Sequence, residues 1–308
     1  MREAVEIREE LFQRIPEDEK RLNEIVRPSM SYWQDAWRRL KKNKLAMLGL
    51  AIVIFMTFLA VFAPLLTPYD YFSQNLYSAN QRPSREHILG LDQFGRDLLT
   101  RVLYGARISM TVAYASTLLI LIIGVIYGGV AGYFGGRVDN VLMRIADILS
   151  GVPGMLYLIL LMVVLGPGLV TIIIAMGISS WIGMARMVRA EVMKLKNQEF
   201  VMAARALGVS NRKILTKHLL PNSMGTIIVN LTFAVPGAIF AEAFLSFIGL
   251  GVSAPQASWG VLVSEAMQMF MIFPMNLFWP ALAICITILG FNFLGDGLRD
   301  ALDPKMRK

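Results

Sequence analysis

Residues 187–221, MVRAEVMKLKNQEFVMAARALGVSNRKILTKHLLP, form a polar, basic island between two apolar blocks. Asn197 is placed to cap a helix, and Glu199 falls in its first turn, where the helix dipole favours an acid. Gly208 supplies a left-handed stop. On the helix so bounded, Phe200, Ala203, Ala204 and Leu207 recur at i, i+3, i+4 and i+7, which predicts one apolar stripe with a small-residue centre. Such a centre admits close docking into a cleft. Ser210 and Asn211 then open a second helix carrying Arg212, Lys213 and Lys217, which runs to Pro221. The expected unit is a helix-turn-helix elbow on one membrane face. Its periodicity alone is that of any amphipathic interfacial helix.

The surroundings place the elbow beside a membrane. Of 308 residues, 56% are hydrophobic and 17% charged, too apolar for a soluble domain. The net charge of +8 is not a nucleic-acid footprint, because its position follows membrane topology. Eleven of the 30 Lys and Arg precede the first apolar block and eight lie between Arg186 and Lys217, which marks both regions as cytoplasmic. The single cysteine, Cys285, excludes an internal disulfide and is read as a small core residue. The charged start and the long block behind it predict a retained anchor and no signal peptide.

Six spans with both termini cytosolic satisfy the pattern. Residues 1–44 read as a cytosolic tail with an interfacial helix near Trp33 and Trp37, and residues 45–66 as the first span. Residues 67–107 form an extracytoplasmic loop in which Asp92 and Asp97 partly offset Arg96, Arg101 and Arg107. Residues 108–298 hold five further spans with the elbow between the fourth and fifth, and 299–308 a cytosolic tail. The second span, 108–130, carries Gly124, Gly128, Gly129 and Gly132 at packing spacings. The third, 138–165, opens with Asp139, Arg144 and Asp147, for which Arg144 pairing with either acid is expected, and kinks at Pro153. The fifth, 223–248, is interrupted by Pro236. A short helix around 261–273 precedes the last span, 277–294.

Chemistry is mostly missing. No G-x-x-x-x-G-K-[ST] loop occurs, so any ATP would bind another subunit. His87 and His218 fall on opposite sides and cannot share a metal. No Ser-His-Asp set, H-E-x-x-H or G-x-S-x-G is visible. Glu242, an acid inside an apolar span, marks either a pathway or a buried structural partner of a hydroxyl, backbone or Arg.

Glu199, Ala203, Gly208, Ile214 and Leu220-Pro221 resemble the EAA loop of ABC importer membrane subunits, with Phe200-Val201-Met202 departing from its usual alanines. LGLDQFGRDLLTRVLYGARIS from Leu89, AEAFLSFIGLGVSAPQASWG from Ala241, LGDGLRDALDPKMRK from Leu294 and SYWQDAWRRLKKNKLAMLGL from Ser31 resemble the C-type permease subunits of oligopeptide and dipeptide ABC importers. The resemblance runs from Ser31 to the end. It implies an all-α polytopic type I importer membrane domain in the cytoplasmic membrane, in contact with lipid. It further implies a heterodimer with a B-type permease, two cytosolic ABC ATPases and an extracytoplasmic peptide-binding protein. No cofactor is implied in this chain; ATP and Mg²⁺ belong to the ATPases, and Glu199, Phe200, Ala203, Ala204, Leu207 and Gly208 to a coupling helix. Oligopeptide import is the leading reading. Dipeptide or nickel import, an ion-coupled carrier using Glu242 and Asp147, and a membrane scaffold are the alternatives.

Overall fold

Ser31 opens the first described helix by a reciprocal cap. Its hydroxyl accepts from the Gln34 N–H at 3.3 Å, and the Gln34 side chain accepts from the Ser31 N–H at 3.1 Å. The computed structural model describes residues 31–303; the first 30 residues of the tail and the last five lie outside the described residues. Helix α1, Tyr32–Lys42, leaves Trp33 and Trp37 exposed. The Tyr32 hydroxyl donates to the Leu302 carbonyl at 3.1 Å and ties α1 to the end of the last helix. Asn43 ends α1 and caps α2, Lys44–Leu66, accepting from the Ala46 N–H at 3.2 Å. This helix covers residues 45–66, read from the sequence as the first span.

Every regular element among the described residues is a helix, with no strand beyond one isolated bridge, Leu91 to Asp97. Helix α3, Leu98–Phe134, has 37 residues and begins ten residues before the expected start of the second span. Its charged opening turns lie in a folded segment, where Arg101, 1% exposed, pairs with Asp92 at 2.8 Å and with Glu265 at 2.6 Å. Asp97 caps the helix, accepting from the Thr100 N–H and hydroxyl at 2.7 Å each.

The third span is not one kinked helix. It divides into α4, Gly136–Ser150, and α5, Gly154–Leu165, bent by 79° at Pro153. Proline lacks the N–H that a continued helix would need there. Helix α6, Leu169–Leu195, returns to the elbow, where α7, Glu199–Ala206, is followed by α8, Asn211–Phe247. Helix α9, Trp259–Met267, lies at the far end and covers the start of the expected 261–273 helix, and α10, Pro274–Leu302, runs back. Five helices are long and apolar enough to cross a membrane, or six if α4 and α5 count as one span.

Several local expectations fail for tertiary reasons. Asp139 bonds Arg189 and Asp147 bonds Arg186 at 2.8 Å, both on α6, while Arg144 is exposed. Packing of α4 against α6 thus replaces pairing along one helix. Helix α8 passes through Pro236 without a break. Cys285 is exposed rather than core, because α10 turns that face outward.

The most extensive helix contact is α3 on α6. A Cβ added at Gly132 would meet the Arg189 carbonyl oxygen at 2.6 Å, and one at Gly128 would overlap the Ala185 carbonyl. In an apolar solvent, such small-residue contact supplies the helix association that the hydrophobic effect cannot. Helices α2 and α10 repeat the device at Gly49, whose added Cβ would stand 2.6 Å from the Gly290 oxygen. Gly128→Leu is expected to force α3 from α6 at the upper end of the ~1–3 kcal/mol range for overpacking. Thermal unfolding of the detergent-solubilised protein measures it, and an unchanged midpoint would contradict the joint.

Candidate functional site

Much of the elbow, between α6 and α8, is exposed. Gln198, not Asn197, occupies the N-cap position of α7, and its side chain makes no capping bond. Asn197 is spent in the turn after Leu195. At the other end Gly208 has φ +74°, its N–H donates to the Arg205 carbonyl at 2.9 Å, and the Val209 N–H donates to Ala204 at 3.0 Å. These are the two bonds of a Schellman stop, with Val209 against Ala204 as its apolar contact. The expected left-handed role of Gly208 is what the backbone adopts.

The predicted stripe is split. Val201 and Ala204 are buried and pack into a cluster with Val188, Val192, Ile214 and Leu219. Phe200, Met202, Ala203 and Leu207 stay exposed, Leu207 at 84%. Ala204 therefore faces this chain's own core, and the free face of α7 is Phe200, Ala203 and Leu207 with Met202 beside them. The sequence pattern could not rank two adjacent alanines, because Val201 and Ile214 decide which one turns inward. Glu199 is exposed in the first turn.

From the elbow, α8 is one element. Ser210 stands at its N-cap without a side-chain bond, while the Tyr133 hydroxyl at the end of α3 donates to Asn211 Oδ1 at 2.7 Å. Residues Ile214–Leu219 wind as a π-helix, and the Leu220 N–H reaches back to the Leu215 carbonyl. The wider register accommodates Pro221, which has no N–H to offer, so the helix expected to end there continues to Phe247.

Glu242 is fully buried and accepts from Ser109 Oγ on α3 at 2.8 Å and Ser246 Oγ on α8 at 2.7 Å. The Ser258 hydroxyl, just before α9, lies 3.3 Å from Ser246 Oγ. Ser109 in turn accepts from the Trp259 N–H at 3.1 Å. The acid thus ties α3, α8 and α9 into one joint. Ser246 was legible at i+4; Ser109 and Ser258 come from distant sequence.

A groove beside α8 escaped the sequence reading. One cavity of about 430 Å³ lies between α6 and α8, and a second of about 530 Å³ adjoins it toward the elbow. Asn230 and Phe233 line both, Ser180 the first, and Asn222 and Thr226 the second. The Phe233 ring sits against Gly295 of α10, where an added Cβ would approach it to 2.9 Å. The signal was available: Asn222, Thr226 and Asn230 repeat every four residues down an apolar span. Among the described residues no three His, Cys, Asp or Glu gather into a possible metal site.

Glu242→Leu orphans the hydroxyls around it and should lower stability by about 1–3 kcal/mol, whereas Glu242→Gln, which keeps an acceptor, should cost less and preserve transport. Thermal unfolding and uptake of the two variants check this. A stable Glu242→Gln protein without transport would overturn the structural role.

Residues 120–308 match the family described as binding-protein-dependent transport system inner membrane component, and residues 31–83 match the N-terminal TM domain of oligopeptide transport permease C. The chain is 53% identical over 284 residues to the oligopeptide transport system permease protein OppC of Bacillus subtilis, covering 92% of this chain and 93% of that one. It is 51% identical over 304 residues to the dipeptide transport system permease protein DppC of the same organism, covering 98% and 95%. Against the glutathione transport system permease protein GsiD of Escherichia coli, identity is 41% over 288 residues, covering 92% and 94%. With an all-helical body, an elbow between two long spans and matches over nearly its whole length, the chain belongs to the family of inner membrane components of binding-protein-dependent transport systems, in its oligopeptide and dipeptide permease C branch.

Proposed function

We propose that this chain is one of two permease subunits of an ATP-driven importer of oligopeptides. It pairs with a B-type permease, two cytosolic ATPases that carry ATP and Mg²⁺, and an extracytoplasmic binding protein that delivers the peptide. The elbow and both termini lie on the cytosolic side, in keeping with the basic residues at 186–217 and before residue 45, and the 67–97 segment with α9 lies outside. Phe200, Ala203 and Leu207 enter an ATPase groove, with Glu199 at the helix start and Gly208 at its stop. Ala204 and Val201 hold the helix from behind.

The observation that carries this reading is the unbroken α8, which leads from the elbow along the groove for 37 residues, roughly 55 Å of α-helical rise. Movement of the ATPases is thereby delivered beside the groove through one element. Coupling requires that α7 bind the ATPases differently in their two states. The oligopeptide reading draws on the match of residues 31–83 to the N-terminal region of oligopeptide permease C. The dipeptide relative, matched over 98% of this chain, supports dipeptides as the second reading.

No atom lies within 4 Å of a Cβ added at Gly208, so a substitution there tests backbone conformation without a clash. Gly208→Val should oppose the left-handed turn by about 1–2 kcal/mol. The assembled complex is expected to keep hydrolysing ATP while ATP-driven peptide uptake into proteoliposomes falls about tenfold. Normal uptake with normal stimulation of the ATPase by loaded binding protein would overturn the coupling role.

A further inference from the structure

We infer that Asn222, Thr226 and Asn230 form a ladder that hydrogen-bonds the main chain of an extended peptide lying in the groove beside α8. The inference rests on the importer reading above and adds the chemistry by which the cargo is held. The three residues stand four apart on one helix, each lining one or both of the adjoining cavities. Four residues of α-helix rise about 6 Å. An extended peptide presents the same main-chain edge every two residues, about 6.6 Å. Successive rungs can therefore meet successive main-chain groups of a peptide running along α8.

The amides are oriented and half-used. Asn222 Nδ2 donates to the His218 carbonyl at 2.6 Å and Asn230 Nδ2 to the Thr226 carbonyl at 2.9 Å, which holds each amide against its own helix. Each retains a second N–H and its oxygen for a ligand, the donor and acceptor pair that a peptide unit requires. Thr226 Oγ1 donates weakly to Glu191 Oε1 at 3.4 Å and keeps its lone pairs as acceptors.

The rest of the wall is suited to indifference about side chains. The cavity around Asn230 carries no charged residue, and Met176 and Met184 in its wall are flexible fillers that repack around different shapes. Charges appear only toward the elbow, at Glu191, Lys194, Arg299 and Asp303. Hydrogen bonds to the main chain combined with adaptable apolar walls select for peptide while tolerating its sequence.

The test uses the complete transporter in proteoliposomes and three probes: tri-alanine, tri-phenylalanine, and a tri-alanine in which one amide N–H is replaced by an ester oxygen. Asn230→Leu is expected to lower uptake of both tripeptides by the same factor, about three- to tenfold for one lost hydrogen bond. It should also abolish the preference for tri-alanine over its ester analogue, while Asn230→Gln keeps that preference. Asn222→Leu, an exposed position toward the elbow, repeats the measurement away from the packing around Asn230, and co-purification of the partner subunits verifies assembly. An Asn230→Leu transporter that still discriminates the ester as the unaltered protein does, or that loses only one tripeptide, overturns the ladder. Failure of the unaltered complex to import any of the peptides overturns instead the importer reading on which it rests.

Discussion

The backbone contact between α3 and α6 constrains everything placed at the elbow. Gly128 and Gly132 bring the helices together until carbonyl oxygens of α6 occupy the space a side chain would fill. At the end of that contact, Lys196 Nζ donates to the Gly132 and Tyr133 carbonyls at 3.1 and 3.4 Å, closing the C-terminus of α3 with a cation where the helix dipole is negative. Tyr133 then reaches Asn211, and Arg205 stands 5.8 Å over its ring. The position of α7 is thus set by a seam of glycines in the membrane rather than by the short helix itself, whose two turns could not be stable alone.

On that platform α7 has two unlike sides. Val201 and Ala204 belong to the core that also holds Ile214 and Leu219 at the start of α8, so α7 and α8 share one apolar cluster across the Gly208 turn. Phe200, Ala203 and Leu207 remain exposed. At the far end, the Glu242 joint and the ion cluster of Asp92, Arg96, Arg101 and Glu265 fasten α9 to α3. Both ends of α8 are therefore anchored, and the groove lies between them.

The spans were legible because a bilayer demands long apolar runs and the basic residues mark their ends. Gly208 was legible because a left-handed stop strongly prefers glycine. What the sequence withheld depends on contacts remote along the chain. Arg101 finds Glu265 across 164 positions, which lets α3 start early, and Asp139 prefers Arg189, 50 positions away, to its helical neighbour Arg144. The inward turn of Ala204 and the passage of α8 through Pro221 are likewise tertiary outcomes. The amide repeat at Asn222, Thr226 and Asn230 stands in the sequence, but only the packing of α6 and α10 around α8 makes it the wall of a groove.

The π segment at Ile214–Leu219 has a consequence for how this chain tolerates change in length. Its hydrogen bonds span one residue more than the α register, and one residue of α-helix is about 100° of turn. The azimuth of the groove relative to the elbow is therefore written in a residue count between Asn211 and Pro221. The π turn takes up that extra residue, so deleting one there would restore a regular helix with the two surfaces still aligned, whereas deleting two would turn them apart by about 100°. The segment thus tolerates the loss of one residue but not of two.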